Sequence, residues 1–177
     1  MRKDVKIAVS GKSGCGNTTV SKIVADRLGL RFVNFTFRSL AQETGISLRD
    51  VLDMASKDES WDREVDKRQL ELARSEGGCV LGSRLAIWIL EEADLKVYLR
   101  ANARTRAARI LKREGESIES AAAFTAERDR QDHARYLRIY SIDNNDYAFA
   151  DIVIDTDDLE PEKIAEIIIE AAEKLAR

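Results

Sequence analysis

The sequence predicts an α/β fold, a five-stranded parallel sheet flanked by helices, in a single domain spanning 1–177. Three observations predict it. An apolar run, Val5 to Val9, leads directly into a glycine-rich loop and then a helical pattern. Short apolar runs alternate with amphipathic helical stretches along the rest of the chain, as expected when a parallel sheet is covered on both faces. Finally, 177 residues suffice for one well-buried core and fall short of two ordinary domains.

Taken in order, Val5–Val9 is the first strand. The next helix carries Val20, Ile23, Val24 and Leu28 at helical spacing and stops at Gly29. Arg31–Phe35 is a second strand, and Phe37–Glu43 a helix stopped by Gly45. Ser47 caps a helix with Leu48, Val51, Leu52 and Ala55 on one face. Asp62–Glu76 is a charged helix with a thin apolar stripe of Val65, Leu72 and Ala73. Gly77-Gly78 breaks it, and Cys79-Val80-Leu81 forms the third strand. Leu95–Leu99 is the fourth strand, Arg104–Arg113 a helix, and Ser117 opens a long helix to about Ile139. Ile152-Val153-Ile154 is the fifth strand. The last helix begins at Pro161, a favoured first-turn position, and buries Ile164, Ile167, Ile168, Ala171 and Leu175.

Composition narrows the function classes. One proline and a hydrophobic fraction of 44% leave no linker or disordered tail, and no apolar run reaches membrane-span length. The N-terminus reads as a strand rather than a signal peptide. Cys15 and Cys79 are too few for a disulfide framework or a zinc site, so a cytoplasmic address is expected. The net charge of −3 gives no general pull toward nucleic acid, and neither nucleic-acid nor membrane partners are expected. The charge is unevenly spread: residues 100–138 hold nine Arg and one Lys against six acidic residues, while 141–177 hold three basic against eleven acidic. A local arginine excess in an acidic chain fits a confined anionic ligand, or else a solvated helix face.

The loop is the strongest signal. Gly11, Gly14 and Gly16 lie between the first strand and a helix N-terminus, the layout of a phosphate cradle whose backbone N–H groups point at phosphate oxygens. Gly11 and Gly16 frame the pattern G-x-x-x-x-G-K-[ST], and Thr18 stands at its magnesium-binding hydroxyl. Thr18-Thr19 read as a helix cap. Asn17 occupies the place of the phosphate-binding lysine. Cys15 reads as a small residue that fits the loop, not as a nucleophile.

Ligands of an open parallel sheet sit beyond the carboxyl ends of its strands. After the second strand come Asn34, Thr36 and Arg38; after the third come Ser83-Arg84. Arg38 and Arg84 either converge on one phosphate through their donor forks or are solvated surface residues. On the long helix Arg128, Asp132 and Arg135 line one face, either as a ligand-facing stripe or as a salt-bridge ladder. Arg106, Arg109 and Arg113 form a second stripe on the preceding helix. Two arginine-bearing helices joined by Glu114-Gly115-Glu116 look like a lid over phosphates. His133 has no evident partner and is expected to be exposed. Trp61, Trp88 and Tyr136 read as packing residues.

Together these features resemble the cytidylate kinases, within the nucleoside monophosphate kinase branch of P-loop proteins, and most closely the archaeal-type subgroup. The resemblance rests on the loop Gly11–Thr19, on Asp66-Lys67-Arg68-Gln69, and on Ser83-Arg84-Leu85-Ala86. It rests also on Arg106-Ala107-Ala108-Arg109 with Lys112-Arg113-Glu114-Gly115, and on Glu127-Arg128-Asp129…Asp132…Arg135. It implies a P-loop NTPase fold with a monophosphate-binding region at about 35–76 and a helical lid at about 104–138. It implies transfer of the ATP γ-phosphoryl group to CMP or dCMP, with Mg2+, in a monomer whose partners are small nucleotides. ATP falls to Gly11, Lys12, Ser13, Gly14, Cys15, Gly16, Asn17, Thr18 and Thr19, and the metal to Thr18. Arg38, Asp66, Arg84, Asp132 and Arg135 match the acceptor side, with Asp132 on the ribose hydroxyls. Arg106, Arg109 and Arg128 match catalytic arginines near the phosphates.

Three positions depart from the family's pattern: Asn17, the turn Asn34-Phe35-Thr36, and Gly82 where an acidic residue is common. They keep two alternatives open, a kinase for another small acceptor and a non-catalytic nucleotide-binding module. Some other P-loop ATPases carry a lysine at the loop's second residue. Lys12 is therefore expected to supply the charge that Asn17 lacks, and it completes the catalytic set.

Overall fold

The computed structural model describes residues 4–114 and 117–175, without the side chains of Arg113 and Glu114. The expected turn through Gly115-Glu116 and the Arg113 side chain lie outside the described residues. Five parallel strands, β1 (Lys6–Gly11), β2 (Arg31–Val33), β3 (Cys79–Gly82), β4 (Leu95–Arg100) and β5 (Ile152–Asp155), form one sheet in the order β2-β3-β1-β4-β5. Among the described residues eight helices flank it: α1 (Asn17–Leu28), α2 (Phe37–Thr44), α3 (Leu48–Lys57), α4 (Ser60–Arg74), α5 (Ala86–Ile89), α6 (Ala103–Glu114), α7 (Ile118–Tyr140) and α8 (Pro161–Leu175).

Strand β1 is the centre. Ile7 pairs with Val80 on one side and Leu95 on the other, and Ile7, Ala8 and Val9 are wholly buried. The connection leaving β1 runs toward β2 and the one leaving its neighbour β3 runs the opposite way, toward β4, so the loop after β1 opens at the crevice where such sheets bind ligands. One face of the sheet packs Val9, Val80 and Val97 against Val24 of α1 and Ile164 and Ile168 of α8. The other packs Ala8, Leu81 and Tyr98 against Ile87 and Leu90. A separate apolar cluster of Phe35, Leu40, Val51 and Val65 ties β2's outgoing turn to α2, α3 and α4. At about 25 cal/mol per Å² of apolar area, this burial is the main term holding the elements together.

Several local expectations need correction. Thr18 and Thr19 do not cap α1; Gly16 does, in a left-handed conformation with no side-chain bond, and the threonines lie inside the first turn. Strand β2 ends at Val33, because Thr36 turns the chain into a capping box with Ser39. Helix α4 starts at Ser60 and ends at Arg74 rather than running from Asp62 to Glu76. The short helix α5 was not evident as an element. Leu52, Leu72 and Leu175 are exposed, at 48%, 42% and 53%. In α8 the core face is instead Ile164, Ala165, Ile168, Ile169 and Ala172, one position round from the expected stripe. His133 is only partly exposed: its Nδ1 lies 2.9 Å from Asn144 Oδ1. Trp88 and Trp61 pack as expected, Trp88 edge-on to Tyr98 and Trp61 against the Phe35 cluster. Among the described residues no helix is long and apolar enough to cross a membrane.

Candidate active site

The phosphate loop is held residue by residue through its carbonyls. Asn17 Nδ2 donates to the Gly11 carbonyl at 2.5 Å, and the Cys15 N–H donates to that of Lys12 at 3.1 Å. Arg106 Nη1 donates to the Ser13 carbonyl at 3.2 Å, and Arg109 Nη1 to that of Gly14 at 3.3 Å. With the carbonyls engaged behind the loop, the N–H groups at the head of α1 are left for an anion. Gly14 has φ +85°, and a Cβ there would stand 2.9 Å from the Arg106 carbonyl oxygen, so only glycine lets α6 approach this closely. Cys15 is buried, and burial pushes its thiol above the ordinary value against the opposing pull of Arg106. That environment suits a packing residue and not a thiolate nucleophile.

A cleft of about 1740 Å³ opens from this loop. Its floor is Lys12–Thr19; one wall is the turn Asn34–Arg38 with Leu48, Leu52, Asp66 and Gln69, and the other is Arg104, Arg109, Phe124, Arg128, Asp132 and Arg135. Phosphate loop and both arginine-bearing segments thus face one space.

Asp132 organises one side of the cleft. Its carboxylate is 5% exposed and takes Arg84 Nη1 on one oxygen and Arg135 Nη2 on the other, each at 2.8 Å. Arg135 Nε also stands 3.2 Å from Asp62 Oδ1. These bonds join α4, the segment after β3 and α7, which an intrahelical ladder does not do; the exposed pair Glu127–Arg130 is the ladder of this helix. Asp66 accepts from Tyr140 Oη at 2.6 Å, and burial pushes its carboxyl up to about 6 even against that bond. Burial likewise raises Asp62, with the Arg135 charge opposing. Gln69 Nε2 holds the Phe35 carbonyl at 3.0 Å and so fixes the turn carrying Arg38, whose side chain is exposed on the cleft wall.

The lid arginines divide. Arg128 lies in the cleft wall with its guanidinium 5.9 Å from the Phe124 ring centroid. Arg109 also lines the cleft and bonds Thr156 at 3.0 Å. Arg106 does not line it: 7% exposed, it stands behind the loop, both terminal nitrogens on Asp129. Sequence reasoning gave no individual role to Asp62, Asp129, Tyr140 or Thr156. Each acts as the partner of a more conspicuous residue far away in the chain, and no local pattern names that partner.

For a metal the donor set is spare. Thr18 Oγ1 lies at the cleft floor and accepts from Asn34 Nδ2 at 3.1 Å. Gly82 admits no acidic side chain, because a Cβ there would be 2.6 Å from Ser21 Oγ. Among the described residues no group of three His, Cys, Asp or Glu side chains is placed to hold an ion. A single hydroxyl fits Mg2+ carried mainly by nucleotide phosphates and water, the usual arrangement for this reluctant dehydrator.

A model of the cytidylate kinase-like family matches residues 6–158. The chain is 44% identical over 174 residues to "Cytidylate kinase 2" of Borreliella afzelii, covering 96% of this chain and 97% of that one. It is also 44% identical to "Cytidylate kinase" of Pyrococcus horikoshii, covering 99% and 92%. Among solved structures it is similar to shikimate kinase from Acinetobacter baumannii in complex with shikimate, with a TM-score of 0.67 at 18% identity over 98% of this chain and 95% of that one. The likeness to shikimate kinase is one of fold, that of the P-loop kinases. The first two run the length of the chain and set its place: it belongs to the cytidylate kinase-like family.

Proposed function

We propose that this protein transfers the γ-phosphoryl group of ATP to CMP or dCMP, giving ADP and the cytidine diphosphate. The observation that carries this reading is Asp132, a buried carboxylate holding Arg84 and Arg135 in the same cleft as the phosphate loop. One cleft then holds two phosphate-binding sites facing each other. The relatives named cytidylate kinase identify the acceptor.

ATP lies with its phosphates on the Gly11–Thr19 amides. The acceptor phosphate is held by Arg38, Arg84 and Arg135, its ribose hydroxyls by Asp132, and its base lies toward Asp66. An acceptor phosphate oxygen forms the new bond to the γ-phosphorus as the bond to the β–γ bridging oxygen breaks, and that electron pair leaves on ADP. Nothing covalent passes through the protein. Its contribution is to align the two phosphates and to set Arg109 and Arg128 where charge spreads on the transferred group. Arg106 acts as a positioning residue through Ser13. Thr18 would hold Mg2+ together with the nucleotide phosphates, and the ion would supply further neutralisation of that charge when bound.

A coupled ADP-release assay with CMP, dCMP, UMP and AMP tests the assignment. The two cytidine nucleotides are expected to be the best acceptors. Equal turnover of AMP, or none with either cytidine nucleotide, contradicts it.

A further inference from the structure

Asn17 stands where the loop pattern asks for a cation, and its geometry shows that it does something else. Its amide nitrogen is bonded to the Gly11 carbonyl, and its Oδ1 is buried without a hydrogen-bond partner. The side chain is thus folded against the end of β1, tying the first residue of α1 back to the last of β1, and it brings no charge.

Lys12 is the residue next to that tie. It lines the main cleft and also a small recess bounded by Gly11, Arg84, Tyr98, Asp129, Asp132 and Asn144. Both carboxylates in that recess are already engaged, Asp129 by Arg106 and Asp132 by Arg84 and Arg135. No ion pair to Lys12 forms among the described residues, so its ammonium is left for an incoming anion. The backbone on both sides of it is fixed through the Gly11 and Ser13 carbonyls. A cation on an anchored stretch of backbone, between the loop and the acceptor arginine Arg84, is where charge would meet a phosphoryl group in transit.

Resting on the phosphotransfer reading above, we infer that this loop divides between two residues what its pattern asks of one. Asn17 is a positioning residue that braces the loop through Gly11. Lys12 is the catalytic residue that neutralises the γ-phosphate, and it does so from the acceptor side.

The test compares wild type, Lys12→Gln, Asn17→Ala and the double variant Lys12→Gln/Asn17→Lys. Steady-state kinetics with ATP and CMP, thermal unfolding, and calorimetric affinities for ATPγS and ADP are measured on each. Lys12→Gln is expected to lower kcat on the order of 10²-fold, the usual loss of one preorganised charge. Its Tm and its KM for CMP stay near wild type, and its preference for ATPγS over ADP disappears. Asn17→Ala raises KM for ATP while leaving KM for CMP in place, a split that a general loss of stability does not produce. The double variant recovers part of the lost kcat. Wild-type kcat in Lys12→Gln, an unchanged ATPγS-to-ADP ratio, or a double variant no faster than Lys12→Gln overturns the inference. If wild type forms no CDP, the phosphotransfer reading fails separately, and the ATPγS-to-ADP ratio still decides whether Lys12 meets the γ-phosphate.

Discussion

Arg106 grips Asp129 with both terminal nitrogens, at 3.1 and 2.7 Å, while its Nη1 also holds the Ser13 carbonyl at 3.2 Å. One side chain thus joins α6, α7 and the phosphate loop. The two helices and the loop are mechanically one piece, and a change at Asp129 is expected to reach a nucleotide bound on the loop.

Asp129→Ala leaves that guanidinium without its partner. The two side chains are 9% and 17% exposed, so the cost is that of breaking a nearly buried pair, about 3 kcal/mol. A fall in Tm of roughly 6–12 °C follows for a chain of this size. Thermal unfolding measures the first effect, and KM for ATP is expected to rise more than KM for CMP. An unchanged Tm contradicts the brace.

Asp132→Ala acts on the other nucleotide. It removes the carboxylate shared by Arg84 and Arg135 and lowers kcat/KM for CMP by about 1–3 kcal/mol, the cost of unpairing a buried polar partner. The dependence on ATP concentration changes much less. Acceptor kinetics equal to wild type would show that Asp132 serves only its arginines.

Asp66 sets a pH dependence of opposite sign to the usual carboxylate. Burial raises its carboxyl to about 6, so between about pH 4 and 6 the folded state keeps a proton that the unfolded chain has released. Its contribution to stability therefore falls as pH rises through that window, by about 3 kcal/mol in all, and stays low above it. Asp66→Asn keeps an acceptor for Tyr140 and abolishes the decline. Denaturant midpoints of variant and wild type should diverge from pH 4 to 6 and then run parallel. A difference independent of pH contradicts the assignment.

Thr18 is the loop hydroxyl proposed to meet Mg2+. Chelation by EDTA is expected to stop turnover, and Thr18→Ala to raise the Mg2+ concentration needed for half-maximal rate. A Thr18→Ala protein with the wild-type Mg2+ profile places the ion elsewhere.

The sheet, the loop and the cleft arginines were legible in the sequence for a common reason: each is written in neighbouring residues. Buried parallel strands are continuous apolar runs, and the loop is a fixed spacing of glycines. Arg38 and Arg84 follow strand ends, so the sheet's topology alone carries them to the cleft. What stayed hidden depends on distant partners. Arg106 reads like Arg109 in sequence, yet Asp129 draws it behind the loop. Leu52 has the spacing of a core residue and instead lines an open cleft at 48% exposure. Likewise the sequence marks Asn17 as a missing lysine, and only the bond to Gly11 shows what it does in that place.

The most direct test follows the phosphorus itself. The purified protein is incubated with γ-32P-labelled ATP, Mg2+ and CMP, and the products are separated by chromatography. The account predicts that the label appears in CDP, in step with ADP formed, and that omission of CMP leaves it in ATP. Label recovered as inorganic phosphate, or retained in ATP while ATP binds tightly, would contradict it.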